Sequence, residues 1–401
     1  MTQPRPTVLD HLDEVAVVQL TQQLVRLPTV AVAGADAVEA PAAAVVTGLM
    51  RGFGWSVTVT EVAPGRPNVV AVVQGTGPGR TLMFEGHSDV VTPGDPADWS
   101  FDPFGGDIVD GHLRGRGSAD MKGGVAAMIH AARAVELAGF AGRIVIGVLA
   151  DEEGLMLGVK HFAASPAASG IDGVIVCEPE GGEICPVSKG AIRLRVDVQG
   201  RMAHGAMPQN GINPLPVIAR LVLGLAELQE QLSERYPAHP DLGPFYLTPT
   251  VLSAGHPEQV NVIPALASVH LDLRTIPGID HRGLIEVIAL LADQIAAESG
   301  ARAVVTVIDD RPPVDLDRSA PVVRALVAAH EQVGDSPVVF GGVPGTTDGT
   351  ILTRDAGLST VVYGPGGKWI AHQADEFVEV ADLLRCARVY AVAATHFLAS
   401  A

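Results

Sequence analysis

Cysteine is scarce in this chain. Its three residues, Cys177, Cys185 and Cys386, cannot all pair, and none lies at the CxxC spacing of a zinc ribbon or redox pair. The expected compartment is therefore the reducing cytoplasm. Basic residues are also few: 27 Lys and Arg against 45 Asp and Glu leave a net charge of -18. Nucleic acids and anionic membranes are held by clustered cations, so neither is an expected partner and a small-molecule substrate fits better. No apolar run approaches the roughly 20 residues that span a bilayer. Residues 1–10 are polar and proline-bearing, without the apolar stretch and small-residue cleavage site of a secretory leader. At 401 residues the chain has room for two domains and a substantial core.

What the chain does have is carboxylates at the ends of apolar runs. Residues 144–150, Ile-Val-Ile-Gly-Val-Leu-Ala, form a strand buried on both faces and lead directly into Asp151-Glu152-Glu153-Gly154. Three adjacent negative charges at a sheet rim raise one another's pKa unless a multivalent cation sits among them. The run predicts a metal site, with one carboxylate on the metal and a neighbour free to handle a proton. Taken alone, the tetrapeptide reads better as a solvated acidic turn after a strand, and it is the rest of the chain that favours the metal site.

Three further runs repeat the pattern. Residues 80–87 read as a buried strand ending at His87, with Asp89 two positions on, where a carboxylate can accept the second ring N–H of a ligating imidazole. Asp120 lies among glycines just ahead of a helix at 125–138, as a side chain reaching into a crowded site or as a cap on the first turn. Residues 173–177 form a short strand that closes on Glu178. Strands alternating with helices, each delivering His, Asp or Glu at its end, argue for an α/β sheet with the site beyond the strand edge. Ahead of them, helices are expected over 11–28 and 38–53 and strands over 56–62 and 68–73.

From 191 the sequence changes to clean apolar–polar alternation, the mark of a sheet with one wet face. A strand there, a helix over 214–232, strands near 248–253 and 265–276, a helix over 281–298 and a strand over 303–308 give a βαββαβ insertion, residues 191–308, in a domain made of 1–190 and 309–401. The α/β order then returns: a helix over 320–333, a strand over 338–340, a glycine-rich stretch over 341–349, a strand over 359–363 and a last helix from Val380. His372 precedes that helix, as a ligand or as a cap.

The ordered set GHSDVV (86–91), GRGSADMKGG (115–124), DEEG (151–154), CEP (177–179), RMAHGAMP (201–208), NVIP (261–264), LDLRTIPG (271–278) and AHQADE (371–376) resembles the M20 metallopeptidase family. The chain looks closest to its acetylornithine deacetylase and succinyl-diaminopimelate desuccinylase group. The resemblance implies a zinc-exopeptidase-like α/β catalytic domain with a mixed sheet, and an inserted α+β lid through which the chain forms a homodimer. It implies two zinc ions, or cobalt, with His87 and Glu178 on one, Glu153 and His372 on the other and Asp120 bridging both. By the same resemblance Asp89 orients His87, and Glu152 is the general base. His204 stabilises the oxyanion, usually from the partner subunit, while Arg274 and Asn261 contact substrate, although alternating Leu271 and Leu273 equally allow Arg274 to face solvent. The implied reaction is hydrolysis of an N-acyl-L-amino acid or related small amide.

Two departures bear on specificity. His204-Gly205-Ala206 replaces the family's frequent His-Ser-Ser, and Thr350 stands two residues after Asp348, where the desuccinylase branch commonly carries an arginine. Thr350 cannot pair with a distal succinyl carboxylate as arginine does. The alternatives are a dipeptidase or carboxypeptidase acting on short peptides, and a metal-binding protein of the same fold without turnover.

Overall fold

Alternation within apolar runs decides which way each central side chain faces, and so sorts them into two cores. Leu82, Phe84, Ile144, Ile146, Val148 and Ile175 enter one core, while their neighbours Met83, Val145, Leu149, Val174 and Val176 enter the other. The computed structural model describes residues 7–30, 39–334 and 337–399. Val38, expected to begin the second helix, and the polar residues 1–6 lie outside the described residues. The chain divides into two units: the first ends at Val187 and resumes over Leu316–Val343 and from Thr347, and the second comprises Ser188–Asp315 with Pro344–Thr346.

The first unit begins with α1 (Glu14–Val25), α2 (Ala40–Gly52), β1 (Ser56–Ala63), β2 (Arg66–Gln74), β3 (Thr81–His87) and the hairpin β4 (Ile108–Val109) and β5 (His112–Arg114). It continues through α3 (Gly123–Ala138), β6 (Arg143–Leu149), α4 (Leu157–Ala163), β7 (Gly173–Val176) and β8 (Ile184–Ser188). The second unit holds β9 (Gly190–Gln199), β10 (Ala203–His204), α5 (Pro214–Arg235), β11 (Tyr246–Ala254), β12 (Val262–Ile263), β13 (Leu266–Thr275), α6 (His281–Ala297), β14 (Arg302–Arg311) and β15 (Val314–Asp315). The return adds α7 (Pro321–Val333), β16 (Phe340–Val343), α8 (Asp348–Ala356), β17 (Thr360–Val362), β18 (Phe377–Glu379) and α9 (Val380–Ala399).

The large sheet of the first unit is mixed and runs β1-β2-β6-β3-β7-β17-β8, with β16 also on β8. Its centre is parallel, β6-β3-β7-β17, and β1 and β2 extend it antiparallel. Helices cover both faces. α1, α2, α3, α7 and α9 close the larger core, and α4 and α8 close the smaller. This α/β architecture carries the C-terminal ends of β3, β6 and β7 to one rim, where ligands gather in open parallel sheets. A separate small sheet, β18-β5-β4, pairs Phe377 with Arg114 and so joins two segments far apart in sequence.

The second unit is an antiparallel sheet of order β11-β13-β9-β14 with α5 and α6 against it. On β9, Leu194, Val196 and Val198 are buried, while Arg193 and Arg195 lie toward solvent beside Asp272, Asp309 and Asp197. That is the one-faced sheet expected of the alternation.

Candidate metal centre

His87 ends β3 and is buried. Its Nδ1 lies 3.0 Å from the main-chain oxygen of Asp89 and 3.4 Å from that residue's Oδ1, two acceptors that keep the proton on Nδ1 and turn the Nε2 lone pair outward. Around Nε2 stand Asp120 Oδ1 at 3.3 Å, Glu178 Oε1 at 3.4 Å and Glu152 Oε2 at 3.9 Å. Asp120 offers its other oxygen, Oδ2, to His372 Nε2 at 3.1 Å, and Glu153 Oε1 lies 3.0 Å from the same nitrogen. One carboxylate therefore faces two imidazoles, each with its own glutamate.

The donor set fits a pair of divalent cations. Zinc with bonds of about 2.0–2.1 Å spaces its tetrahedral ligands about 3.3 Å apart, and the separations from Asp120 and Glu178 to His87 match that edge. Among the described residues, His87 Nε2 is buried without a well-formed hydrogen bond. Charge points the same way. Burial, with the charge of Asp120, pushes Glu178 up to about 8, and burial and Asp120 also raise Glu153. Burial drives Glu152 well above the ordinary carboxylate range, with His87 opposing and Glu178, Glu153 and Asp348 adding to it. Burial opposes charge on His87, yet Glu178, Asp120 and Asp89 hold its pKa well above the imidazole range. His372 is raised to about 11 by its contacts with Asp120 and Glu153. For Asp120, burial is outweighed by His372 and His87, which keep it well below the usual range. The cluster gathers protons wherever it can, as an anionic site short of positive charge does.

Local backbone geometry explains the aim of each group. Asp120 is not the cap of α3, whose N-cap is Lys122; its φ of -115° and ψ of 95° break the helical path and leave the carboxylate directed at the imidazoles. Asp89 accepts the amides of Glu152 at 3.3 Å and Glu153 at 3.1 Å, so it organises the acidic run as well as the His87 ring. Asp151 turns away in the left-handed region, at φ 66°. Its carboxylate takes the Leu155 amide at 3.0 Å and pairs with Arg66 at 2.5 Å, and Arg66 also holds buried Glu39 at 2.7 Å. Of the three adjacent carboxylates, two reach the cluster and one builds the turn. A Cβ on Gly124 would sit 2.1 Å from the Cys177 carbonyl, and one on Gly364 would sit 2.4 Å from the Glu178 carbonyl, so bare backbone packs directly beside Glu178.

Two groups escaped sequence reasoning. Glu85, two residues before His87, is fully buried, and burial followed by the charge of Asp348 raises its pKa well above the carboxylate range. Glu376 is buried beneath the Asp120 turn. Position i-2 to a ligand on an all-buried strand was the available signal for Glu85.

His87, Asp89, Asp120, Glu152, Glu153, Glu178 and His372 are thus brought together within the first unit. His204, Asn261 and Arg274 belong to the second. There, β10 pairs with β12, and the Asn261 carbonyl accepts from the Gly205 amide at 2.7 Å, which sets Asn261 beside the His204 turn. His204 Nδ1 accepts from the Ala206 amide at 3.0 Å, which leaves Nε2 of the exposed ring as the nitrogen that can donate. Arg274, on β13, is half-buried and presents Nε and Nη2 to Asp272 at 2.7 and 3.3 Å.

A family model described as peptidase family M20/M25/M40 matches residues 83–396, a span that includes every residue of the cluster. The chain is 32% identical over 401 aligned residues to a succinyl-diaminopimelate desuccinylase of Phenylobacterium zucineum, covering 95% of this chain and 98% of that one. It is 30% identical over 334 to an acetylornithine deacetylase of Vibrio atlanticus, covering 82% and 84%. In fold it is similar to aminopeptidase PepT of Bacillus cereus, with a TM-score of 0.77 at 20% identity over 97% of this chain and 100% of that one. A dinuclear metal-binding peptidase of the M20 family from Bacillus subtilis gives a TM-score of 0.73 at 17% identity over 96% and 98%.

Proposed function

The chain belongs to peptidase family M20/M25/M40, and from that premise we propose that it is a two-metal amidohydrolase that removes the acyl group from N-acyl-L-amino acids. The observation that carries this reading is Asp120, whose two oxygens face different imidazoles. His87 and Glu178 are assigned to one zinc, Glu153 and His372 to the other, and Asp120 to both; cobalt suits the same nitrogen and oxygen donors. A bound pair supplies Lewis acidity at the scissile carbonyl and a lowered pKa for the attacking water. Glu152 receives the proton of that water on its carboxylate and delivers it to the leaving nitrogen, so amide and water become a carboxylate and an amine. A buried glutamate whose pKa is raised is suited to holding that proton between the two transfers. His204 donates from Nε2 to the oxyanion, and Arg274 and Asn261 bind the substrate, the arginine through its carboxylate.

An uncharged acyl group, as in an N-acetyl amino acid, is favoured over succinyl. Thr350 is buried, and among the described residues its hydroxyl has no hydrogen-bond partner. The second unit is assigned the lid and the contact of a homodimer, which the exposed Val251 and Leu252 of its edge strand β11 support. Three free, buried thiols support a reducing, cytoplasmic setting. No helix among the described residues is long and apolar enough to cross a membrane.

Side-by-side assay of N-acetyl and N-succinyl amino acids and dipeptides on the zinc-loaded protein tests the reading. N-acetyl substrates are expected to give the highest kcat/KM; preference for dipeptides would favour a dipeptidase, and metal binding without turnover of any of them would sink the enzyme. The His204→Ala variant is expected to lose kcat while keeping its metal.

A further inference from the structure

Two of the groups assigned to the metals, Asp120 and His372, sit on irregular backbone. Asp120 lies in a turn that departs from helical dihedrals, and His372, at φ 65°, is half exposed, so packing alone fixes neither. One buried side chain touches the supports of both. Oε1 of Glu376 accepts three backbone amides of the Asp120 turn: Gly117 at 3.0 Å, Ala119 at 3.0 Å and Asp120 itself at 3.1 Å. Those amides have left the helical ladder and need an acceptor, and converging N–H groups of this kind form a nest for an anion.

The other oxygen, Oε2, accepts from Arg116 Nη1. Arg116 donates Nη2 to the carbonyl of Gln373 at 3.0 Å, and Gln373 follows His372 directly. The loop is closed by the Glu376 main chain, whose carbonyl accepts the Gly115 amide at 2.8 Å, one step from the Phe377–Arg114 pairing of β18 with β5. Arg116 and Glu376 are both buried, and the guanidinium lies 5.3 Å from the Trp99 ring centroid, so their charges are screened by little water.

We propose that Glu376 is a positioning residue that fixes Asp120 and His372 in register with each other, and through them the metal they are assigned to share. The inference rests on the two-metal reading above. Glu376 touches neither imidazole nor carboxylate of the cluster in any hydrogen bond of the structure; it acts through the backbone that carries them.

The test uses the full-length protein stripped with chelator and titrated with Zn²⁺ alone by calorimetry, and with Co²⁺ alone by visible spectroscopy, for wild type, Glu376→Ala and Glu376→Gln. Removing a partner of this kind typically weakens a metal site by roughly 10- to 100-fold. Glu376→Ala is expected to show such a loss for one of two ions, a changed Co²⁺ band, and a fall in kcat with little change in KM. Glu376→Gln, which keeps an acceptor for the amides and loses the charge facing Arg116, is expected to fall between. If Glu376→Ala fails to fold by circular dichroism, the glutamine variant decides. Wild-type affinity for both ions and an unaltered Co²⁺ spectrum in the folded variants would overturn the proposal. Absence of Zn²⁺ binding by wild type would overturn the two-metal reading itself, and this inference with it.

Discussion

Glu152 and Glu153 are adjacent in the chain but are assigned different work, one as proton carrier and the other as ligand, and substitution separates the two roles. Glu152→Gln keeps shape and removes the basic oxygen, so kcat is expected to fall by roughly 10²–10⁴, the usual contribution of general acid–base catalysis, with bound metal unchanged at two per chain. Undiminished turnover would strip Glu152 of that role. Proton competition gives a second expectation at this scale. In the metal-free chain Glu178 titrates near 8 and His372 near 11, so at neutral pH both carry protons that an ion must displace. Affinity should therefore rise with pH, by about tenfold per pH unit for each proton released, and most steeply below about pH 8. Calorimetric titration with Zn²⁺ in buffers of different ionisation enthalpy measures the release; affinity that stays flat between about pH 6 and 8 would contradict it. Most of the cluster was legible because His87, Glu152, Glu153 and Glu178 close apolar runs, and side chains at strand ends share a rim. The part played by Asp151 could not be read, because its partner Arg66 lies 85 positions away, a contact no local spacing encodes.

Among the elements, the first turn of α3 meets the end of β7 at a tight joint, and glycine permits it. Alanine within a helix is ordinarily more stable than glycine by about 0.8–1 kcal/mol. At Gly124 that gain meets a Cβ 2.1 Å from the Cys177 carbonyl, and backbone on both sides cannot yield as a side chain would. Gly124→Ala is therefore expected to destabilise by about 1–3 kcal/mol, as overpacking does. Gly48→Ala in α2, where nothing lies within 4 Å of the new methyl, is expected to stabilise by a few tenths to 1 kcal/mol. Urea unfolding of the two variants compares them directly; equal midpoints would refute the joint. The parallel core strands and the βαββαβ elements of the second unit were readable from apolar runs and periodicity. α4, β8 and α8 were not: α4 is a single short stretch of seven residues, β8 contains a proline, and α8 opens on polar Asp-Gly-Thr with Thr347 capping the Gly349 amide. The strand expected over 338–340 falls instead at Phe340–Val343. Its glycines looked like a loop, but Phe340–Val343 is a strand that pairs with β8.

At the scale of the molecule, the chain leaves the first unit after Val187, builds the second, and returns to it to supply His372. The five assigned ligands therefore all belong to one unit, although the second is spliced between Glu178 and His372. An ion that binds the folded first unit and not its unfolded chain stabilises that unit by mass action, by about 4 kcal/mol for a site filled at a thousand times its Kd. For a body of the first unit's size, about 270 residues, each kcal/mol moves Tm by about 2 °C, so loss of even one tightly held ion lowers the first unit's Tm by roughly 7 °C. The second unit, whose antiparallel sheet and two helices contain none of the assigned ligands, has no such dependence. Calorimetry of the full chain before and after chelation is thus expected to show one transition falling and another staying in place, with Zn²⁺ restoring the first. A first-unit transition indifferent to chelator would mean that its folding does not draw on metal held at Asp120, and two transitions that fall together would mean that the units unfold as one cooperative body.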